Sequence, residues 1–134
     1  MPDCRLPTGR SSRLGNDHKI KLALMQKLIL FRKTYDLILW VYPCVNHFPK
    51  SQRFVLGQQI LNTLINFLKI IIEANSYRDK KRFLLLASVE LDKTRFLIRL
   101  AKDLRFTNIK KYGLTVKKIN EVGKLLGGMI KRFS

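Results

Sequence analysis

Residues 24–45 read LMQKLILFRKTYDLILWVYPCV, and the apolar positions in that stretch decide the fold class. Leu24, Leu28, Phe31, Tyr35, Ile38, Tyr42 and Val45 recur at alternating spacings of four and three, which lines one face of an α-helix. Pro43 lacks an amide hydrogen, so a kink or a weakened last turn is expected there. His47-Phe48-Pro49-Lys50 reads as the first loop, and Ser51 is placed to cap the helix that follows. The second seam is Phe54, Gly57, Leu61, Leu64, Leu68 and Ile71, and Asn75-Ser76 interrupts it. A third helix is expected from about Asp79 to Leu104, with Leu85, Val89, Phe96 and Leu100 on its buried side. Asn108 to Gly113 breaks the pattern, and Thr115 is placed to cap a fourth helix with seam Val116, Ile119, Gly123, Leu126, Ile130 and Phe133. Gly127-Gly128 reads as a site of close helix packing.

No segment alternates at period two for long enough to form a sheet. The expectation is an all-α fold: one up-down-up-down antiparallel four-helix bundle over residues 20–134, preceded by a flexible basic leader at 1–19. The first two helices carry more apolar surface than one bundle needs. The first has a second stripe at Leu30, Leu37, Val41 and Cys44, and the second adds Leu56, Ile60, Ile65, Phe67, Ile70 and Ile72. A helix apolar almost all round is buried on every side. Leu30, Leu37, Val41, Ile60, Ile65, Phe67 and Ile72 are therefore expected at an interface between copies of the chain.

Charge is the second decisive property. The chain has 27 Lys and Arg against 9 Asp and Glu, a formal +18 over 134 residues. A domain of this size is comfortable at a net charge of about 2–8, so the excess calls for an anionic partner. Sixteen of the 27 cations lie from Arg78 onward. Lys81, Arg95, Arg99 and Lys102 fall within about 60° on the third helix, with Asp92 placed to pair with Arg95 or Arg99. Arg78, Lys80, Lys81, Arg82, Arg95, Arg99, Lys102, Lys110 and Lys111 are the candidate nucleic-acid or partner contacts, with Lys117, Lys124 and Lys131 as the next set. No helix-turn-helix, zinc-finger or ribonucleoprotein pattern is present, so binding is expected to be backbone-directed and weakly sequence-specific.

Enzymatic chemistry finds no support. His18 and His47 are isolated, Cys4 and Cys44 form no metal-ligand spacing, and there is no Gly-rich phosphate loop. No metal or other cofactor is expected, and both thiols are read as reduced. Residues 1–19 lack the apolar core of a secretory signal. The run Ile60–Ile72 is broken by Asn62, Asn66 and Lys69 and is shorter than the ~20 residues of a membrane span, which points to a cytoplasmic protein with no membrane partner.

Four stretches carry a family resemblance: Leu39–Pro43 (LWVYP), Phe48–Lys50 (FPK), Tyr77–Lys93 (YRDKKRFLLLASVELDK) and Ile119–Ile130 (INEVGKLLGGMI). Residues 20–134 resemble the accessory variability determinant (Avd) proteins of diversity-generating retroelements. These belong to a wider four-helix-bundle family that includes proteins encoded in bacterial 23S ribosomal RNA intervening sequences. The resemblance implies a homopentameric barrel with a basic surface that binds DNA and RNA (template-repeat RNA and cDNA). It also implies association with the element's reverse transcriptase in mutagenic retrohoming, and carries over no catalytic motif. Residues 1–19 depart from the family pattern. The alternative is the ribosomal-RNA-insert branch, an RNA-associated structural module without a polymerase partner, which genome context would distinguish.

Overall fold

The computed structural model describes residues 11–74 and 79–133. They form α1 (Ser11–Asn46), α2 (Lys50–Ala74), α3 (Lys80–Asp103) and α4 (Ile109–Arg132), with no strand among them. Each helix packs on the next and α4 returns to α1, so the order around the bundle is cyclic. Short connections make successive helices antiparallel, which is the expected four-helix bundle. Helix α1 begins at Ser11, so the second half of the stretch expected as a leader is helical. The Asn75-Ser76 break and Arg78 lie outside the described residues.

The helix ends obey local chemistry, though two caps differ from expectation. Asp79 caps α3, its Oδ1 accepting from Arg82 N at 3.2 Å. The C-terminal boundary also falls where expected: Leu104 ends α3 and Arg105 takes φ 64°. Phe106 N then donates to Ala101 O, and Arg105 N to Lys102 O, both at 2.9 Å. This pair of bonds is a Schellman closure. Asn108, not Thr115, caps α4, accepting from Lys111 N at 2.7 Å. Ser51 lies inside α2, whose N-cap position is Pro49. Pro43 is carried within α1, which continues to Asn46. The first turns of α2 loosen into a π-helical stretch at Arg53–Gly57. There a Cβ on Gly57 would come within 2.5 Å of Val45.

The buried lines differ from the expected seams in an informative way. On α1 the core line is Leu30, Thr34, Leu37, Val41 and Val45. Leu24, Leu28, Phe31, Tyr35 and Tyr42 from the expected seam are exposed. Thr34 is tolerated at the centre of the buried stripe because its Oγ1 donates to Leu30 O at 2.8 Å, removing the cost of an unpaired hydroxyl. On α3 the reversal is complete: Leu85, Val89, Phe96 and Leu100 are exposed, while Leu84, Ala87, Leu91, Thr94, Ile98 and Ala101 are buried. The most extensive packing is α2 on α3. There α2 supplies the bulk with Ile60, Leu64, Phe67 and Ile71, so small residues at 87, 94 and 101 let the two helices approach. Thr94 Oγ1 and Thr63 Oγ1 meet across them at 2.8 Å. On α4, Ile119 and Leu126 are buried as expected and Val122 and Met129 complete the line.

These placements correct the expected interface. Leu30, Leu37, Val41, Ile60 and Phe67 are 0–1% exposed inside one protomer, so they are core residues and unavailable to a second copy. Ile65 is half-buried and Ile72 is 49% exposed, so these two stay at the surface. By length and composition α2 reaches the hydropathy of a membrane span, but its buried line runs through the centre of the bundle.

Candidate nucleic-acid interface

The bundle has two unlike sides. Lys33 and Trp40 of α1 reach α4, through Lys33 Nζ–Glu121 Oε2 at 3.3 Å and Trp40 Nε1 donating to Thr115 Oγ1 at 2.9 Å. Leu24, Leu28, Phe31, Tyr35 and Tyr42 lie more than 100° around the helix from those two, so they face out on the side away from α4. On α2, Asn66 reaches Glu90 of α3 at 3.3 Å. Ile65 and Ile72 turn away from that contact. The outer face of α1 is therefore largely apolar, and α2 adds Ile65 and Ile72 among the exposed Gln58, Asn62 and Lys69. The α3–α4 side carries clustered cations around an exposed apolar stripe of Leu85, Val89, Phe96 and Leu100 on α3.

On α3 the expected cations are already engaged with acids. Arg95 Nη1 donates to Asp92 Oδ1 at 2.7 Å, Lys102 Nζ sits 3.1 Å from Asp103 Oδ1, and Arg99 Nε is 4.0 Å from Asp103 Oδ2. Lys102 also lies 4.9 Å over the Tyr112 ring. These are surface pairs worth at most about 1 kcal/mol each, and a phosphate can displace them. Arg95 is positioned by a glycine: a Cβ on Gly123 would come within 2.5 Å of Arg95 Nη2. The guanidinium thus lies across α4, where Arg95, Lys117, Asn120, Gly123 and Lys124, together with the acid Glu121, line a shallow open depression.

The cations without acidic partners lie elsewhere. Lys110, Lys117, Lys124 and Lys131 recur every seven residues along α4 and are all exposed, a row with steps of about 10.5 Å. Among the described residues none of the four has a carboxylate partner. Gly113, Gly127 and Gly128 share this helix, and a Cβ on any of them would meet nothing within 4 Å. The Gly127-Gly128 pair is therefore not explained by helix packing within the protomer. Lys117, Lys124 and Lys131, ranked behind the α3 set from sequence, carry the more available charge. Their seven-residue period was legible in the sequence; the carboxylates that engage the α3 cations were not.

The first turns of α3 and α4 are also cationic. Lys80, Lys81 and Arg82 stand at the start of α3 and Lys110 and Lys111 at the start of α4, where the helix dipole already presents positive charge. Lys27 of α1 comes close enough to Lys80 that its pKa is lowered, first by burial and second by that like charge. Lys80 itself rests 6.0 Å from the Phe133 ring. Like charges gathered at a helix start destabilise the protomer and attract an anion. Sequence inspection missed Lys27, because its approach to Lys80 exists only in the folded bundle.

A family model described as bAvd-like matches residues 28–133. The chain belongs to the bAvd-like family. No curated protein matches it. In this bAvd-like protein the match begins within α1 and runs through the whole of α4, so it takes in both the apolar and the basic side. Membership places it in an accessory-protein family, as the resemblance implied. Among the described residues no three His, Cys, Asp or Glu side chains converge as a metal site. His47 Nδ1 lies 2.7 Å from Pro43 O, tied to the backbone. Burial raises the pKa of the Cys44 thiol, with Lys111 opposing the shift, so Cys44 is a poor nucleophile.

Proposed function

We propose that this bAvd-like protein is a non-catalytic accessory subunit of a diversity-generating retroelement. It binds nucleic acid through its α3–α4 side and associates with the element's reverse transcriptase during mutagenic retrohoming. The observation that carries the reading is the row Lys110, Lys117, Lys124 and Lys131, exposed and, among the described residues, without acidic partners, in a chain of formal charge +18. Such a row recognises the regular charge of a phosphodiester backbone and no base edge. The largely apolar outer face of α1, with Ile65 and Ile72 of α2, supports self-association, and the five-membered ring of the family is the proposed arrangement.

The test is a salt titration of binding to DNA and RNA. Contact with 6–10 phosphates lowers affinity by about 10³–10⁵ between 50 and 200 mM salt. Binding flat in salt, or confined to one short sequence, refutes the backbone-directed reading. Co-purification with the element's reverse transcriptase tests the partner, and light scattering tests the ring.

A further inference from the structure

Phe96 is the most conspicuous unexplained side chain on the basic side. Its ring is 73% exposed at the middle of the outer face of α3, opposite the core line Ala87, Leu91, Thr94 and Ile98. Cations flank it. Lys93 precedes it by three residues and Arg99 follows it by three, each about one helical turn away. Arg95, next in sequence, points toward α4, and the acids Asp92 and Asp103, partners of Arg95 and Arg99, share the face. Lys93 is held on Glu90 at 2.8 Å, whereas the Arg99 side chain is 67% exposed with its acid partner at 4.0 Å. The Arg99 guanidinium, held only at 4.0 Å by the exposed Asp103, is in a pair a phosphate can displace, about one turn from an uncovered aromatic face.

We infer that Phe96 is a base-stacking platform that gives the cationic α3–α4 side a preference for single-stranded nucleic acid. This rests on the nucleic-acid reading above and adds the class of ligand to it. Bases in a duplex have both faces covered by their neighbours, so the backbone and the groove edges, but no π face, are open to a protein surface. An unpaired base has a free π face, and stacking on an aromatic ring is tolerant of sequence. With a base on Phe96, Arg99 one turn away meets the adjoining phosphate with its planar fork. The lysine row of α4 binds backbone in either form. Phe96 discriminates between the two.

Leu85, Val89 and Leu100 share this outer face, so an apolar protein partner is the competing occupant. The variant Phe96→Leu separates the two, because it keeps the apolar bulk and removes the π face. The probes are a fluorescein-labelled mixed-sequence single strand and the same sequence as a duplex, with the full chain and fixed salt. Phe96→Leu is expected to weaken single-strand binding roughly 5- to 150-fold, the range measured for losing one stacked base. Duplex binding is expected to stay at the parent value, and Phe96→Trp to bind the single strand at least as well as the parent. Single-strand affinity unchanged in Phe96→Leu overturns the inference and leaves the face to a protein partner. Equal loss on both probes overturns it as well. Where Phe96→Leu alters assembly, Phe96→Trp carries the test, and a single-strand loss in that variant overturns the inference. The variant Lys117→Ala/Lys124→Ala/Lys131→Ala keeps the failures distinct. It is expected to lose both probes, and unchanged binding of both there defeats the nucleic-acid reading itself.

Discussion

Helix α1 offers two apolar stripes, and replacing one leucine from each asks which of them holds the fold. Leu37 is 1% exposed on the line shared with Leu30, Thr34 and Val41, and Leu28 is 61% exposed on the outer stripe. Truncating Leu37 to Ala removes a fully packed side chain and leaves a cavity, which costs about 2–5 kcal/mol. Full burial of a leucine is worth about 1.5–3 kcal/mol, and only two-fifths of Leu28 is covered, so Leu28→Ala costs about 1 kcal/mol. The assay is urea unfolding followed by circular dichroism at several protein concentrations, with light scattering on the same samples. Assembly adds stability by mass action, so any concentration-dependent part of the Leu28→Ala loss belongs to contacts between copies. Equal, concentration-independent losses in the two variants refute the assignment of the outer stripe to the surface and restore Leu24, Leu28, Phe31, Tyr35 and Tyr42 to the core.

Further outcomes follow from single observations. Arg105 holds φ 64° at the end of α3, a conformation free for glycine, so Arg105→Gly raises stability by about 1 kcal/mol, read as an upward shift in melting temperature. Thr115→Val removes the acceptor of Trp40 Nε1 and costs about 1 kcal/mol, since Trp40 is only half-buried and water can substitute in part; unchanged stability and tryptophan emission would argue against that bond. The raised pKa of Cys44 means the folded chain keeps the thiol proton to higher pH than the unfolded chain. Its stabilising contribution is thus complete below the ordinary thiol range and lost as pH rises through the folded value, and alkylation of the native protein lags that of the denatured protein through this window. Replacing Lys117, Lys124 and Lys131 together by Ala lowers the log-log salt slope of binding by roughly three, about one per lost phosphate contact.

Much of the chain was legible without coordinates. Helix α3 falls between Asp79 and Leu104 as its extent in the sequence indicated, because helix-forming patterns act over a few neighbouring residues. The four-helix architecture follows from apolar periodicity and short connections, and the charge surplus is a property of composition that no folding arrangement removes. The outward facing of Leu85, Val89, Phe96 and Leu100 could not be read that way. Hydrophobic periodicity finds stripes but does not rank them when one helix carries two. The choice depends on shape across the contact, where the small buried Ala87 and Thr94 let α3 approach α2 and Thr94 meets Thr63. The same holds for charge: Arg95, Arg99 and Lys102 pair with Asp92 and Asp103, leaving the α4 lysines as the available row. Local chemistry determined the elements and the total charge, while packing between helices decided which apolar stripe went inside and which cations stayed open to a ligand.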